Sequence, residues 1–130
     1  MANLVLVDSN FFITRATRGE DPFVELVRWS EQYEFATCGV IMLEVLRGRL
    51  EPAMKNKFSQ RFGVMVYIPT HNRVWERATA LAWALDRRGV KLSLSDLVIA
   101  AHALEAGASV LTADRQFNDV PGLTVLDQLR

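Results

Sequence analysis

Apolar positions in this chain alternate between short unbroken runs and longer stretches at helical spacing. Asn3–Val7 (NLVLV) is a Leu/Val run ended by Asp8, the pattern of a buried strand. Asn10 to Thr17 reads as a short helix ended by Gly19. Asp21-Pro22 is an N-cap followed by proline at the first helical position, and the helix it opens is predicted to run to about Tyr33. Phe35–Thr37 is a brief strand, Val40–Arg47 a helix ended by Gly48, and Pro52–Phe62 a second proline-opened helix. Val64–Ile68 (VMVYI) reads as a strand stopped by Pro69.

Val74, Ala78, Leu81 and Leu85 give His71–Arg88 one apolar face. Ser95–Ala106 has Ser95 as its expected cap and Gly107 as its stop. Its apolar residues go almost all round, which places it centrally in the fold. Ser109–Leu111 is a strand, Arg115–Asn118 a helical turn and Leu123–Leu126 a last strand. Short apolar strands alternating with helices predict an α/β domain: a mostly parallel sheet of about five short strands, flanked by helices.

Composition narrows this further. The 130 residues are 50% apolar and 23% charged, with a net charge of zero, as in a globular chain. No repeat, low-complexity tract or linker divides residues 1–130, so a single domain is expected. Cys38 is the only cysteine, which removes any internal disulfide and fits a reducing compartment. No apolar run approaches the roughly 20 residues of a membrane span, and MANLVLVDSNFF lacks the basic segment of a secretion signal. A cytoplasmic location with no membrane partner is the expectation.

The fold reading turns scattered acids into a site. Ligands of an open parallel sheet bind outside the carboxyl ends of its strands. Asp8 follows the first strand directly, Asp114 follows Ser109–Leu111 by three residues, and Asp96 lies in the first turn of the central helix. Glu44 interrupts the apolar stretch VIMLEVL, where a carboxylate is costly unless it has a partner. Each acid alone has a structural explanation: Asp8 and Asp114 can cap the turns they precede, Asp96 suits the positive end of its helix, and Glu44 can lie on a solvated stripe. Together they lack a basic counterweight, and converging carboxylates with oxygen-only chemistry select a hard cation, Mg²⁺ or Mn²⁺.

Other chemistries find no support. GxxxxGK[ST], GxGxxG, GxSxG and HExxH are all missing from the sequence. His102 lies about 240° round the helix from Asp96 and does not share its face. His71 and His102 read as structural or surface residues, and Cys38 at a strand end as a buried small residue. Trp29, Trp75 and Trp83 on helices suit core or subunit-interface packing better than base stacking.

Four segments, in this order, resemble the PIN-domain ribonucleases, above all the VapC-type toxins of toxin–antitoxin pairs. They are VLVDSN at 5–10, VIMLEVLRG at 40–48, LSLSDLVIAAHALEAGASVLTADRQF at 92–117 and LTVLD at 123–127. The third is the most specific, and 49–90 matches only in its helical pattern. The resemblance implies a three-layer PIN-like domain and a Mg²⁺-dependent endoribonuclease in which Mn²⁺ substitutes. It implies an RNA substrate, a cognate antitoxin and a homodimer. The family's four acids fall on Asp8, Glu44, Asp96 and Asp114, as catalytic and metal-holding residues. Ser9 or Asn10 matches the small polar position beside the first acid, and Thr112 the hydroxyl supporting the last. Segment 47–61 carries Arg47, Arg49, Lys55, Lys57 and Arg61 against Glu51 alone, and is the expected approach for RNA to an acidic centre. Arg87, Arg88 and Lys91 form a second cluster, read as a solvated face.

Three rival readings fit less well. A haloacid-dehalogenase phosphatase needs a second aspartate where Asn10 stands, and a receiver domain needs an acidic pair and a late lysine. A catalytically silent PIN-like module that binds RNA or protein would not need all four acids.

Overall fold

The structure is a computed structural model and describes residues 3–48 and 50–130. Five strands form one wholly parallel sheet in the order β3-β2-β1-β4-β5. They are β1 (Asn3–Val7), β2 (Tyr33–Thr37), β3 (Val66–Tyr67), β4 (Ser109–Leu111) and β5 (Val125–Leu126). The helices are α1 (Ser9–Thr17), α2 (Pro22–Arg28), α3 (Gly39–Leu46), α4 (Pro52–Phe62), α5 (Asn72–Arg87) and α6 (Leu94–Ala106). A 3-10 turn spans Arg115–Asp119. The three-layer α/β expectation therefore holds, with every strand pair parallel.

β1 is central because it is apolar on both faces. Val5, Leu6 and Val7 are all buried, and Leu6 pairs with Ala36 of β2 on one side and Val110 of β4 on the other. α6 is central for the same reason. Every residue from Leu97 to Ala103 is buried, including His102. Its nearly uniform apolar surface leaves no polar face to give to water. Against it packs α5, a conventional amphipathic helix burying Val74, Ala78 and Leu85.

An aromatic cluster fills the corner between α1, α2 and α4. The Phe12 ring lies 5.3 Å from Phe23 and 5.0 Å from Phe62, while Phe23 meets Phe58 edge-on at 5.2 Å. Edge-to-face and tilted contacts at such distances add to the burial of the rings.

Several boundaries differ from the sequence reading, and β2 starts at Tyr33 instead of Phe35. α2 ends at Arg28 and not near Tyr33, because Gln32 and Tyr33 both bond back to the Trp29 carbonyl and turn the chain into β2. β3 is only two residues long, since Val64 and Met65 remain bonded to the end of α4. β5 keeps only the last two residues of the predicted Leu123–Leu126. α6 is capped by Ser93 and not Ser95: Ser93 Oγ accepts the Asp96 N–H at 3.1 Å.

Candidate active site

The carboxyl edge of the sheet gathers the polar residues that the core excludes. Asp8, Ser9 and Thr112 are buried there, three of the five buried polar side chains among the described residues. Asp8 leaves β1 in extended conformation and caps α1, its Oδ1 accepting the Ser9 N–H at 2.8 Å. That cap is why the helix starts at Ser9, one residue earlier than the pattern suggests.

Two hydroxyls join the acids. Ser9 Oγ lies 3.0 Å from Glu44 Oε1 and 3.5 Å from Asp8 Oδ1. It has one proton, and the shorter distance gives that proton to Glu44. Thr112 Oγ1 donates to Asp8 Oδ2 at 2.8 Å, while accepting the Asn10 amide at 3.2 Å and the Asp114 N–H at 3.0 Å. One donor and two acceptor sites are all that a hydroxyl has, so Thr112 is fully used. It fixes an oxygen of Asp8 and the backbone of Asp114 together, 104 residues apart in sequence from the first.

The electrostatics follow from this crowding. Burial pushes the Asp8 carboxyl up to about 6. Bonds from Thr112 and Ser9 oppose the rise, and the charges of Asp96 and Glu44 add to it. Asp96 is likewise raised by burial, with the charges of Asp114 and Glu44 adding to that and the Ser93 hydroxyl opposing it. Asp8 and Asp96 thus each feel the charge of two other acids. Asp114 also caps the 3-10 turn, Oδ1 accepting from Gln116 N–H at 2.9 Å. Beneath them Cys38 is buried, and burial together with the Glu44 and Asp8 charges raises its thiol pKa against two backbone bonds. It is an inert small residue of the core, as expected.

The donor set fits a hard divalent cation in chemistry: carboxylates, hydroxyls and an amide, with no basic side chain among the hydrogen-bond partners of Asp8. Among the described residues, however, no three acids, histidines or cysteines stand ready as a closed metal cage.

The basic residues of 47–61 divide. Lys57 and Arg61 both pair with Asp21, at 3.3 Å and 3.7 Å. Arg47 shares a hollow with Glu44, and Lys55 is exposed. Arg49 lies outside the described residues. Sequence reasoning missed a third basic group, Arg15, Arg18 and Arg28, which lines a cleft next to Asn10 and Thr112. Its signal was present: basic residues stand in the last turns of α1 and α2, which end near each other. His102 is wholly buried, Nδ1 facing the Val98 carbonyl and Nε2 the Thr70 hydroxyl, both at 2.7 Å, and is structural. No described helix is long and apolar enough to cross a membrane.

Residues 5–123 match the model of the PIN domain family. The fold is shared with solved structures of low sequence identity. A chain of the Rickettsia felis VapBC2 complex, bound to a DNA fragment from its promoter, superposes with a TM-score of 0.81 at 16% identity, covering 95% of this chain and 97% of that one. A chain of DNA-bound VapBC from Salmonella typhimurium gives 0.79 at 19% identity, covering 97% and 98%. VapBC-1 from nontypeable Haemophilus influenzae gives 0.77 at 18%, covering 95% and 97%. No curated protein matches.

Proposed function

The chain belongs to the PIN domain family, and on that premise we propose that it is an endoribonuclease, the toxin of a toxin–antitoxin pair, hydrolysing RNA phosphodiester bonds at the carboxylate edge. The observation that carries this is Asp8. It is a buried acid with a raised pKa, linked by Ser9 to Glu44 and by Thr112 to Asp114. Burying such a group costs stability and serves no packing purpose, which is the usual mark of a functional site.

Asp8, Asp96, Asp114 and Glu44 would hold one or two Mg²⁺ ions, with Mn²⁺ substituting. Such a cation supplies Lewis-acid stabilisation of phosphate charge and a lower pKa for water. In the hydrolysis, a water oxygen bonds to phosphorus, the bond to the leaving oxygen breaks, the water's proton passes to a carboxylate, and the leaving oxygen takes a proton from solvent. Glu44, held by Ser9, either accepts that proton or joins the cation's ligands. Thr112 keeps Asp8 Oδ2 and the Asp114 backbone in register, and Asn10 holds Thr112.

The relatives in fold are toxin–antitoxin complexes, which supports an antitoxin partner in the cytoplasm here. The groove formed by Phe23, Leu26, Val27, Val64 and Val66 offers apolar surface for such a partner. Trp75 and Trp83, 50% and 63% exposed on α5, support a homodimer through that helix. Sedimentation as a dimer at micromolar concentration checks it.

Purified protein incubated with structured RNA in Mg²⁺, Mn²⁺ or EDTA tests the main reading. Cleavage with either cation and none in EDTA is expected. Glu44→Gln should lose activity, and Mn²⁺ affinity of that variant separates ligand from base. The alternative is a catalytically silent PIN-like RNA- or protein-binding module. It predicts RNA left intact under all three conditions.

A further inference from the structure

Asn10 and Thr112, which brace Asp8, also form one wall of a cleft of about 500 Å³. The ends of α1 and α2, the loop after β4 and the chain after β5 form the rest. Arg15, Arg18, Arg28 and Trp29 line it.

The three arginines are not equivalent. Arg15 is committed to the fold: its Nε and Nη2 reach the two oxygens of Glu25 at 3.3 Å and 3.0 Å, Nη1 reaches the Phe11 carbonyl, and the guanidinium lies 3.7 Å over the Phe11 ring. Arg18 and Arg28 are exposed and form no ion pair among the described residues. The other acid of the wall, Asp127, pairs with Arg130 at 3.2 Å. Next to Asn10 and Thr112, which brace Asp8, the cleft therefore holds two positive charges with no ion-pair partner among the described residues. Trp29 stands between them and the core, half-buried and tilted against Tyr33 with centroids 6.3 Å apart, so its indole is held in place.

We propose that this cleft is a nucleotide subsite. It takes the single-stranded RNA flanking the scissile bond, with Arg18 and Arg28 on backbone phosphates and Trp29 under a base. The proposal rests on the ribonuclease reading and names where that substrate lies. Unpaired guanidinium groups bind phosphate bidentately, and a fixed aromatic face stacks any base. Both features are present here, whereas Lys57 and Arg61 of the segment 47–61 already pair with Asp21. The shared Asn10–Thr112 wall makes the path from cleft to acids continuous.

The test uses Asp8→Asn protein and a labelled single-stranded RNA of mixed sequence, with affinity measured at several salt concentrations. Arg18→Ala with Arg28→Ala should weaken binding and flatten the salt slope by about 0.7 for each phosphate no longer neutralised. Arg87→Ala with Lys91→Ala removes equal charge outside the cleft and should leave the slope unaltered. With Trp75→Phe and Trp83→Phe leaving Trp29 as the only tryptophan, the RNA should quench its emission. An unaltered slope in the arginine variant, or no quenching, overturns the proposal. If poly-glutamate binding is lost in that variant while the RNA slope stays, the cleft holds an acidic protein segment instead. Unsubstituted protein that cuts RNA despite either result keeps the ribonuclease reading and loses only the subsite. Protein that binds with the expected slope and quenching but never cuts keeps the subsite and loses the nuclease.

Discussion

α1 carries two regions of opposite character. Phe11 and Phe12 anchor the aromatic corner, where rings from three helices meet at 5.0–5.6 Å and charge enters only as the guanidinium groups of Arg15 and Arg61 lying over the Phe11 and Phe23 rings. One turn earlier, Asp8 and Ser9 open the carboxylate edge, where buried acids crowd one another. The first region stabilises the fold by burial and has no chemistry to offer. The second costs stability and holds the chemistry. A single helix therefore aims the site by being anchored at a place that takes no part in it.

This contrast breaks if both regions respond alike to truncation. Phe12→Ala should be the largest effect, costing about 3–5 kcal/mol and shifting the urea midpoint down. Its residual activity should follow the folded fraction. A well-folded variant would mean that the corner is dispensable.

Asp8→Asn should act in the opposite sense. Metal-free, the variant should be at least as stable as the parent, with cleavage reduced on the order of 100-fold or more. The sign follows from the raised pKa. The parent's Asp8 is protonated in the folded state at a pH where the unfolded carboxyl has lost its proton. Parent stability therefore falls as pH rises from about 4 to about 6. The gap between variant and parent should be near zero at pH 4, widen through that window, and level off above it at up to about 3 kcal/mol. A constant gap measured by denaturation across pH would show that Asp8 carries no desolvated charge.

His102 sharpens the comparison because it is a buried polar group outside the site. Burial lowers its pKa, helped by the nearby His71 charge and opposed by the bond to Val98, so it folds neutral. Nδ1 donates to the Val98 carbonyl, which leaves Nε2 to accept from Thr70. Its stability is present above pH 6.5 and is lost as pH falls, the reverse of Asp8. Asp8→Asn protein, relieved of the opposing group, should lose stability more steeply than the parent between pH 6.5 and 5. The smallest effect belongs to the surface: Lys57→Ala, removing a half-exposed pair with Asp21, should change stability by less than about 1 kcal/mol. A larger loss would mean that α2 depends on charge as well as on its aromatic contacts.

The aromatic corner and the sheet were legible because burial writes itself as pattern. Pro52–Phe62 and Ser109–Leu111 were readable to the residue, since proline opens one and apolar runs define the other. Boundaries set by hydrogen bonds between near neighbours, such as the turn at Trp29 or the Ser93 cap, leave no periodic trace. The four acids were legible as positions at one edge. Their linkage through Ser9 and Thr112 was not, because one hydroxyl is indistinguishable from another until the loops are in place. The cleft was hidden for a related reason: Arg15, Arg18 and Arg28 look equal in sequence, and only pairing to Glu25 sets the first apart.

The position of β1 bears on the order in which the protein is made. It precedes the other four strands in sequence, yet it lies in the middle of the sheet. Its pairing with β2 needs only residues up to Thr37, while its other edge waits for Ser109–Leu111. Asp8 and Glu44 are made early, but Asp8 lacks the Thr112 bond until a residue 104 positions later has been made. Contacts of such long sequence separation form late, because loop closure must precede them. A polypeptide interrupted before Thr112 would expose the apolar edge of β1 and hold an unbraced Asp8. The fold thus leaves its carboxylate edge unassembled until β4 and the loop that follows it are in place.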